Sequence, residues 1–261
     1  MLPLSDPLFY AAAVPAVVLA GLSKGGFGGS IGMLAVPLMA LVIPPVQAAG
    51  ILLPILVVMD VVGLLAYRGV YDRRALVLLL PAGIAGVGVG WATASLVNDA
   101  QVTLLVGVLC LVFVAERFVP RRAAGPDADA GGQGRGHRPL AGAFWGAMSG
   151  FTSFVSHTGG PPFQLYMVPL RLAPALFAGT AVIFFAAINA VKLVPYFFLG
   201  QFDARNLATA AVLLPLAPLS TLAGVWLVKR IEPRLFYALV YVAMAVIGVK
   251  LVHDSARQLF G

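Results

Sequence analysis

The chain has 261 residues, 61% of them hydrophobic and 10% charged, with a formal charge of +7 and a mean hydropathy of +0.97. No soluble domain keeps a wetted surface at that density, and an open sheet in lipid would leave backbone groups unpaired, so the composition predicts an all-α integral membrane protein. The Lys and Arg residues lie in short clusters between apolar runs, a topology signal rather than a nucleic-acid footprint.

In chain order, residues 1–7 lack a basic leader region. The apolar run from Leu8 then passes without a cleavage-like site into a glycine-rich break, so the N-terminus is expected to stay in the mature fold. That break reads GLSKGGFGGSIG over 21–32 and is followed by a short apolar segment, MLAVPLMALV, over 33–42. Long apolar runs follow at 47–67, 76–97 and 102–118, near the roughly 20 residues that a crossing needs. Residues 119–139, rich in Gly, Ala and Arg between Pro120 and Pro139, read as a flexible linker that separates a first membrane unit, 1–118, from a second, 140–261. The second unit opens with its own break, SGFTSFVSHTGGPP over 149–162, then LYMVPL over 165–170, then long runs at 175–199, 207–228 and 235–252. Cys110, the single cysteine, lies inside an apolar run and reads as a small hydrophobe.

The two units share a pattern. Each has a glycine-rich break, a short segment carrying Val-Pro-Leu, and a long run; 48–67 and 177–196 align without a gap and set Asp60 against Asn189. An aromatic-Asp pair follows in each, Tyr71-Asp72 and Phe202-Asp203, and two further long runs close each unit. Five apolar segments per unit, two short or re-entrant and three long, give an odd number of crossings, so the predicted architecture is a pair of inverted-topology repeats whose broken helices meet near the midplane. The basic turns at Arg68, Arg73 and Arg74, the linker with Arg121, Arg122, Arg135 and Arg138, and the turn with Lys229, Arg230 and Arg234 then share one side, expected to be cytoplasmic with both termini outside.

Irregular backbone at membrane depth is tolerated where it lines a cavity, so the two breaks mark the expected site. Around the first lie Ser23, Lys24, Gly25, Gly26, Gly28, Gly29 and Ser30; around the second lie Ser153, Ser156, His157, Thr158, Gly159 and Gly160, with Gln164 one turn on. Hydroxyls, a cation, an imidazole and bare backbone N–H groups at helix starts suit an anion, and the absence of carboxylates from both breaks disfavours a cation or metal site. Lys24 reads equally as a topology residue, and close helix packing is the alternative for the glycines. Inside the long runs, Asn189 and Lys192 share one helix face, and Lys192 either adds positive potential or pairs with Asp60. His157 and Asp60 are candidates for proton coupling. Glu116, Arg171 and Lys250 lie near segment ends, where snorkelling accounts for them. No G-x-x-x-x-G-K-[ST] loop is present, so a secondary transporter that needs no cofactor is expected rather than an ATP-driven one. An anion channel and an intramembrane His157/Asp60 enzyme are the alternatives; homo-oligomerisation is open.

The breaks, the Val-Pro-Leu that follows each, and SHTGGPP (156–162) resemble the TauE/SafE sulfite-exporter family of anion permeases. The resemblance covers nearly the whole chain apart from the linker. It implies a bacterial inner-membrane carrier, read as an exporter, of small sulfur-containing anions such as sulfite, sulfoacetate or other C2 sulfonates. Members are also assigned thiosulfate, sulfolactate or carboxylates. It places Lys24, Gly25 and Gly26 in the first-unit signature and His157, Thr158, Gly159, Gly160 and Pro161 in the second, without individual roles.

Overall fold

In the computed structural model, residues 6–26, 31–94, 96, 99–116 and 136–260 are described; Gly28, Gly29 and Ser30 of the first break and most of the linker fall outside them. The described residues form helices and no strand. They run α1 (Pro7–Gly26), a 3-10 turn (Ile31–Leu34), α2 (Ala35–Met39), α3 (Pro45–Ala66), α4 (Arg73–Ala92) and α5 (Asp99–Glu116) in the first unit. The second has α6 (Pro139–Ser156), α7 (Gly160–Met167), a 3-10 turn (Val168–Leu170), α8 (Pro174–Phe198), α9 (Ala204–Leu213), α10 (Leu216–Arg230) and α11 (Pro233–Phe260). Among the described residues, five helices, α1, α3, α4, α8 and α11, are long and apolar enough to cross a membrane, or six spans if α9 and α10, bent by 47°, are taken as one. The polarity is inverted relative to a soluble fold: Lys192 is 0% exposed, while Phe198 is 72% and Leu140 88% exposed.

One expectation changes. The first segment of each unit, expected to be short, is a helix of 20 residues in α1 and 18 in α6. Gly21, Gly25 and Gly26 continue α1 instead of breaking it, because they pack against α10: a Cβ on Gly25 would stand 2.3 Å from the Thr221 carbonyl oxygen, and one on Gly224 2.5 Å from that of Leu22. Small residues let helix backbones approach this closely, which is where their helix-breaking tendency is outweighed. α6 crosses α4 in the same manner, with a Gly150 Cβ 1.9 Å from the Gly83 carbonyl oxygen. Of the helices that follow, α2 has five residues and α7 eight, and at 1.5 Å per residue neither by itself crosses a hydrocarbon core of about 30 Å.

Contacts between the units are reciprocal. The first helix of each packs on the other's penultimate helix, α1 on α10 and α6 on α4, while α3 packs on α8 and α5 on α11. The turns after α3 and α8 both pass through a glycine in the left-handed region, Gly69 at φ 75° and Gly200 at φ 68°. Each then ends in an aspartate that caps the next helix: Asp72 accepts from the Ala75 N–H at 2.9 Å, and Asp203 from those of Arg205 and Asn206 at 2.8 Å. Each turn also lies against a glycine of the opposite unit. A Cβ on Gly179 would meet the Val70 carbonyl oxygen at 1.8 Å, and one on Gly50 that of Gln201 at 2.7 Å.

The basic stretches converge at one end of the bundle. Lys229 Nζ donates to the Ala66 carbonyl at 3.3 Å, and His137, beside Arg138, lies 3.2 Å from the Asp72 carboxylate. Arg171 stacks over Tyr237 at the same end, 5.1 Å from the ring centre. Lys250 pairs with Asp254 one turn along α11.

Candidate functional site

A cavity of about 60 Å³ lies between α1, α3, α6 and α8, lined by Lys24 of α1, Gly32 and Met33, Leu52 of α3, Ser153 and His157 of α6, Gly159 and Gly160, and Phe185, Asn189 and Lys192 of α8. At about 10–15 Å³ per water, that is room for about four to six waters or one small anion.

The second break is shaped by its own sequence. α6 ends at His157, which adopts the left-handed conformation at φ 54°, and the Thr158 N–H turns back to the Thr152 carbonyl at 3.1 Å. Side chains knot this turn: Ser149 Oγ donates to the Gly159 carbonyl at 2.7 Å and Thr152 Oγ1 to that of Thr158 at 3.2 Å. Thr158 therefore serves the turn. α7 then begins at Gly160, followed by Pro161 and Pro162, which carry no N–H. With the Phe163 N–H bonded to the Gly159 carbonyl at 3.3 Å, the backbone donors at that helix start reduce to Gly159 and Gly160, both on the cavity wall. Gln164 is fully buried within α7.

Charged groups complete the wall. Lys24 forms an ion pair with Asp60 of α3, the side chains being 10% and 5% exposed, and Asn189 Nδ2 donates to the other Asp60 oxygen at 2.6 Å. Lys192 Nζ donates to the Ser153 carbonyl at 2.8 Å and approaches Ser153 Oγ and His157 Nδ1 at 3.4 Å each. His157 Nε2 meets the Tyr196 hydroxyl. The two ammonium groups lie over aromatic rings, Lys24 over Phe185 and Lys192 over Tyr196, each 5.6 Å from the ring centre, which adds cation–π attraction.

Lys24, Ser153, His157, Gly159, Gly160, Asn189 and Lys192 are thus brought together, and Asp60 stands one layer behind them. Two readings are corrected. Gly25 and Gly26 belong to the last turn of α1 and pack on α10, and the Gly25 carbonyl accepts from the Tyr67 hydroxyl at 2.6 Å. As helical residues beyond the first turn, they offer no free N–H to a ligand. Asp60 takes Lys24, not Lys192, as its ionic partner, because Lys192 is turned toward the end of α6. Ser23 is fully buried, its Oγ without a hydrogen-bond partner among the described residues; a Cβ on Gly32 would lie 3.4 Å from it. Two tyrosines went unnoticed in the sequence. Tyr67 and Tyr196 occupy matching positions at the ends of 48–67 and 177–196, and each hydroxyl grips the end of a broken helix, at Gly25 and at His157. Their shared place at the ends of two runs that align without a gap was the available signal.

No curated protein and no solved structure matches the chain. The sulfite exporter TauE/SafE family profile matches residues 13–251, which takes in both broken helices, the ion pair and the cavity between them. This multi-pass membrane protein belongs to the TauE/SafE sulfite exporter family, a family of membrane anion transporters.

Proposed function

We propose that the protein is a secondary carrier of small sulfur-containing anions, sulfite or small sulfonates, which it binds between its two broken helices and passes by alternating access. The observation that carries this reading is the cavity itself: two lysines, an imidazole and the start of α7 converge there, and its only described carboxylate is already held by Lys24 and Asn189. Anion oxygens would accept from Lys192, Lys24 and the Gly159 and Gly160 N–H groups, since charge-assisted bonds are about twice as strong as neutral ones. The reciprocal helix pairings, the matched Gly69 and Gly200 turns and the matched tyrosines support two inverted repeats with α2 and α7 as re-entrant segments. Rocking of one repeat against the other would expose the cavity to each side in turn.

The convergence of the basic stretches supports placing that end in the cytoplasm of a bacterial inner membrane, with both termini outside. For an anion in such a cell, the inside-negative potential favours export by about 2.3 kcal/mol per charge per 100 mV. Proton coupling through His157 or Asp60 is the refinement to examine alongside.

The test is flux of radiolabelled sulfite in proteoliposomes containing the purified chain, with unlabelled sulfite, sulfoacetate or acetate on the far side. Exchange accelerated by the far-side sulfur anion identifies a carrier, and dependence on an imposed pH gradient identifies proton coupling. Flux indifferent to far-side anion identifies a channel. Flux no greater than in empty vesicles for every anion sinks the transport reading.

A further inference from the structure

The charges around the cavity add up to something more specific than affinity for anions. Two ammonium groups line it, Lys24 from α1 and Lys192 from α8. Behind the wall stands one carboxylate, Asp60 of α3, tied to Lys24 and Asn189. The imidazole of His157 contributes no charge in this arrangement. An ammonium only donates, so Nδ1, 3.4 Å from Lys192 Nζ, is an acceptor, which leaves the ring proton on Nε2 facing the Tyr196 hydroxyl. Among the described residues, the cavity thus holds a single uncompensated positive charge.

We infer that the site is matched to one singly charged anion and that Asp60 sets this limit. The inference rests on the anion-carrier reading and specifies the charge of the substrate. Asp60 keeps Lys24 available as a hydrogen-bond donor while cancelling it as a second free charge. A monoanion, such as hydrogensulfite or a simple sulfonate, brings the cluster to neutrality. A dianion leaves a net negative charge in a cavity with space for only a few waters, where unpaired charge is costly and repulsion from Asp60 is poorly screened. The remaining donors, the N–H groups of Gly159 and Gly160 and the hydroxyl of Ser153, recognise oxygen without adding charge. Asp60 is thereby a specificity-determining residue that acts through Lys24.

The experiment is calorimetric titration of the full chain in detergent with methanesulfonate, a permanent monoanion, and sulfate, a dianion, at one neutral pH. The wild type is expected to bind methanesulfonate about tenfold or more tightly than sulfate. Asp60→Asn, which frees a second positive charge, is expected to move that ratio toward sulfate by about tenfold or more, and the double variant Lys24→Met/Asp60→Asn to bring it back. Lys192→Gln, which removes the last free charge, should lose methanesulfonate. A wild type that prefers sulfate, or a folded Asp60→Asn with an unchanged ratio, overturns the inference. If Asp60→Asn does not fold, undiminished methanesulfonate binding by Lys192→Gln overturns it instead. A wild type that binds neither anion removes the carrier reading itself, whereas binding without charge discrimination removes only the inference.

Discussion

Replacing Lys24 by Met should destabilise the protein far more than replacing Lys24 and Asp60 together. The side chains of the pair are 10% and 5% exposed, so the magnitudes of buried ion pairs apply and not the 0–1 kcal/mol of surface pairs. Lys24→Met leaves the Asp60 carboxylate inside the bundle with the Asn189 amide as its remaining partner among the described residues, a loss of about 3–5 kcal/mol. Lys24→Met/Asp60→Asn removes both charges while keeping the volume, and apolar or neutral replacements of a buried pair are commonly neutral, so it should return to within about 1 kcal/mol of the wild type. At roughly 2–4 °C per kcal/mol for a chain of this size, the single variant should melt about 6–20 °C lower. The chain itself supplies the probe: its one cysteine, Cys110, is fully buried in α5 against Gly248 of α11, so a thiol-reactive dye reports opening of the bundle at a single position. A double variant destabilised by the sum of the two single effects would refute the reasoning, because the cycle would then register no coupling between Lys24 and Asp60.

Other outcomes follow from the same geometry. Gly25→Ala drives a methyl into the Thr221 carbonyl and the Gly224 Cα, and should lower stability by about 1–3 kcal/mol or more in the same melting assay. Gly88→Ala, helical with nothing near its Cβ position, should instead raise it by about 0.5–1 kcal/mol. Gly159→Ala places a methyl 2.7 Å from the Ser149 carbonyl oxygen and Ser153 Cβ, pushing the start of α7 off the cavity wall; anion-induced stabilisation should fall with it, as a thermal-shift titration would show. Tyr196→Phe removes the partner of His157 Nε2 and should cost about 1 kcal/mol in melting while weakening sulfite flux in proteoliposomes. Tyr67→Phe, which frees the Gly25 carbonyl, should have a matching effect on stability.

The sequence by itself determined the membrane class, the long apolar runs and the polar residues set within them, because lipid imposes one rule on every spanning residue and composition over about 20 positions reads it directly. It also made Asp60 and Asn189 visible as matched positions, and the structure places them in contact. Which groups pair was beyond its reach. The sequence suggested Lys192 as a partner for Asp60 and the structure gives it Lys24, a selection that depends on how α1, α3 and α8 are rotated about their axes, which glycine contacts with α10 and with the Val70 turn fix. Those same close approaches decided that Gly25 and Gly26 extend a helix while Gly159 and Gly160 open a cavity. A glycine's backbone is permissive, so its role is assigned by whatever packs against it, and that neighbour comes from the other half of the chain.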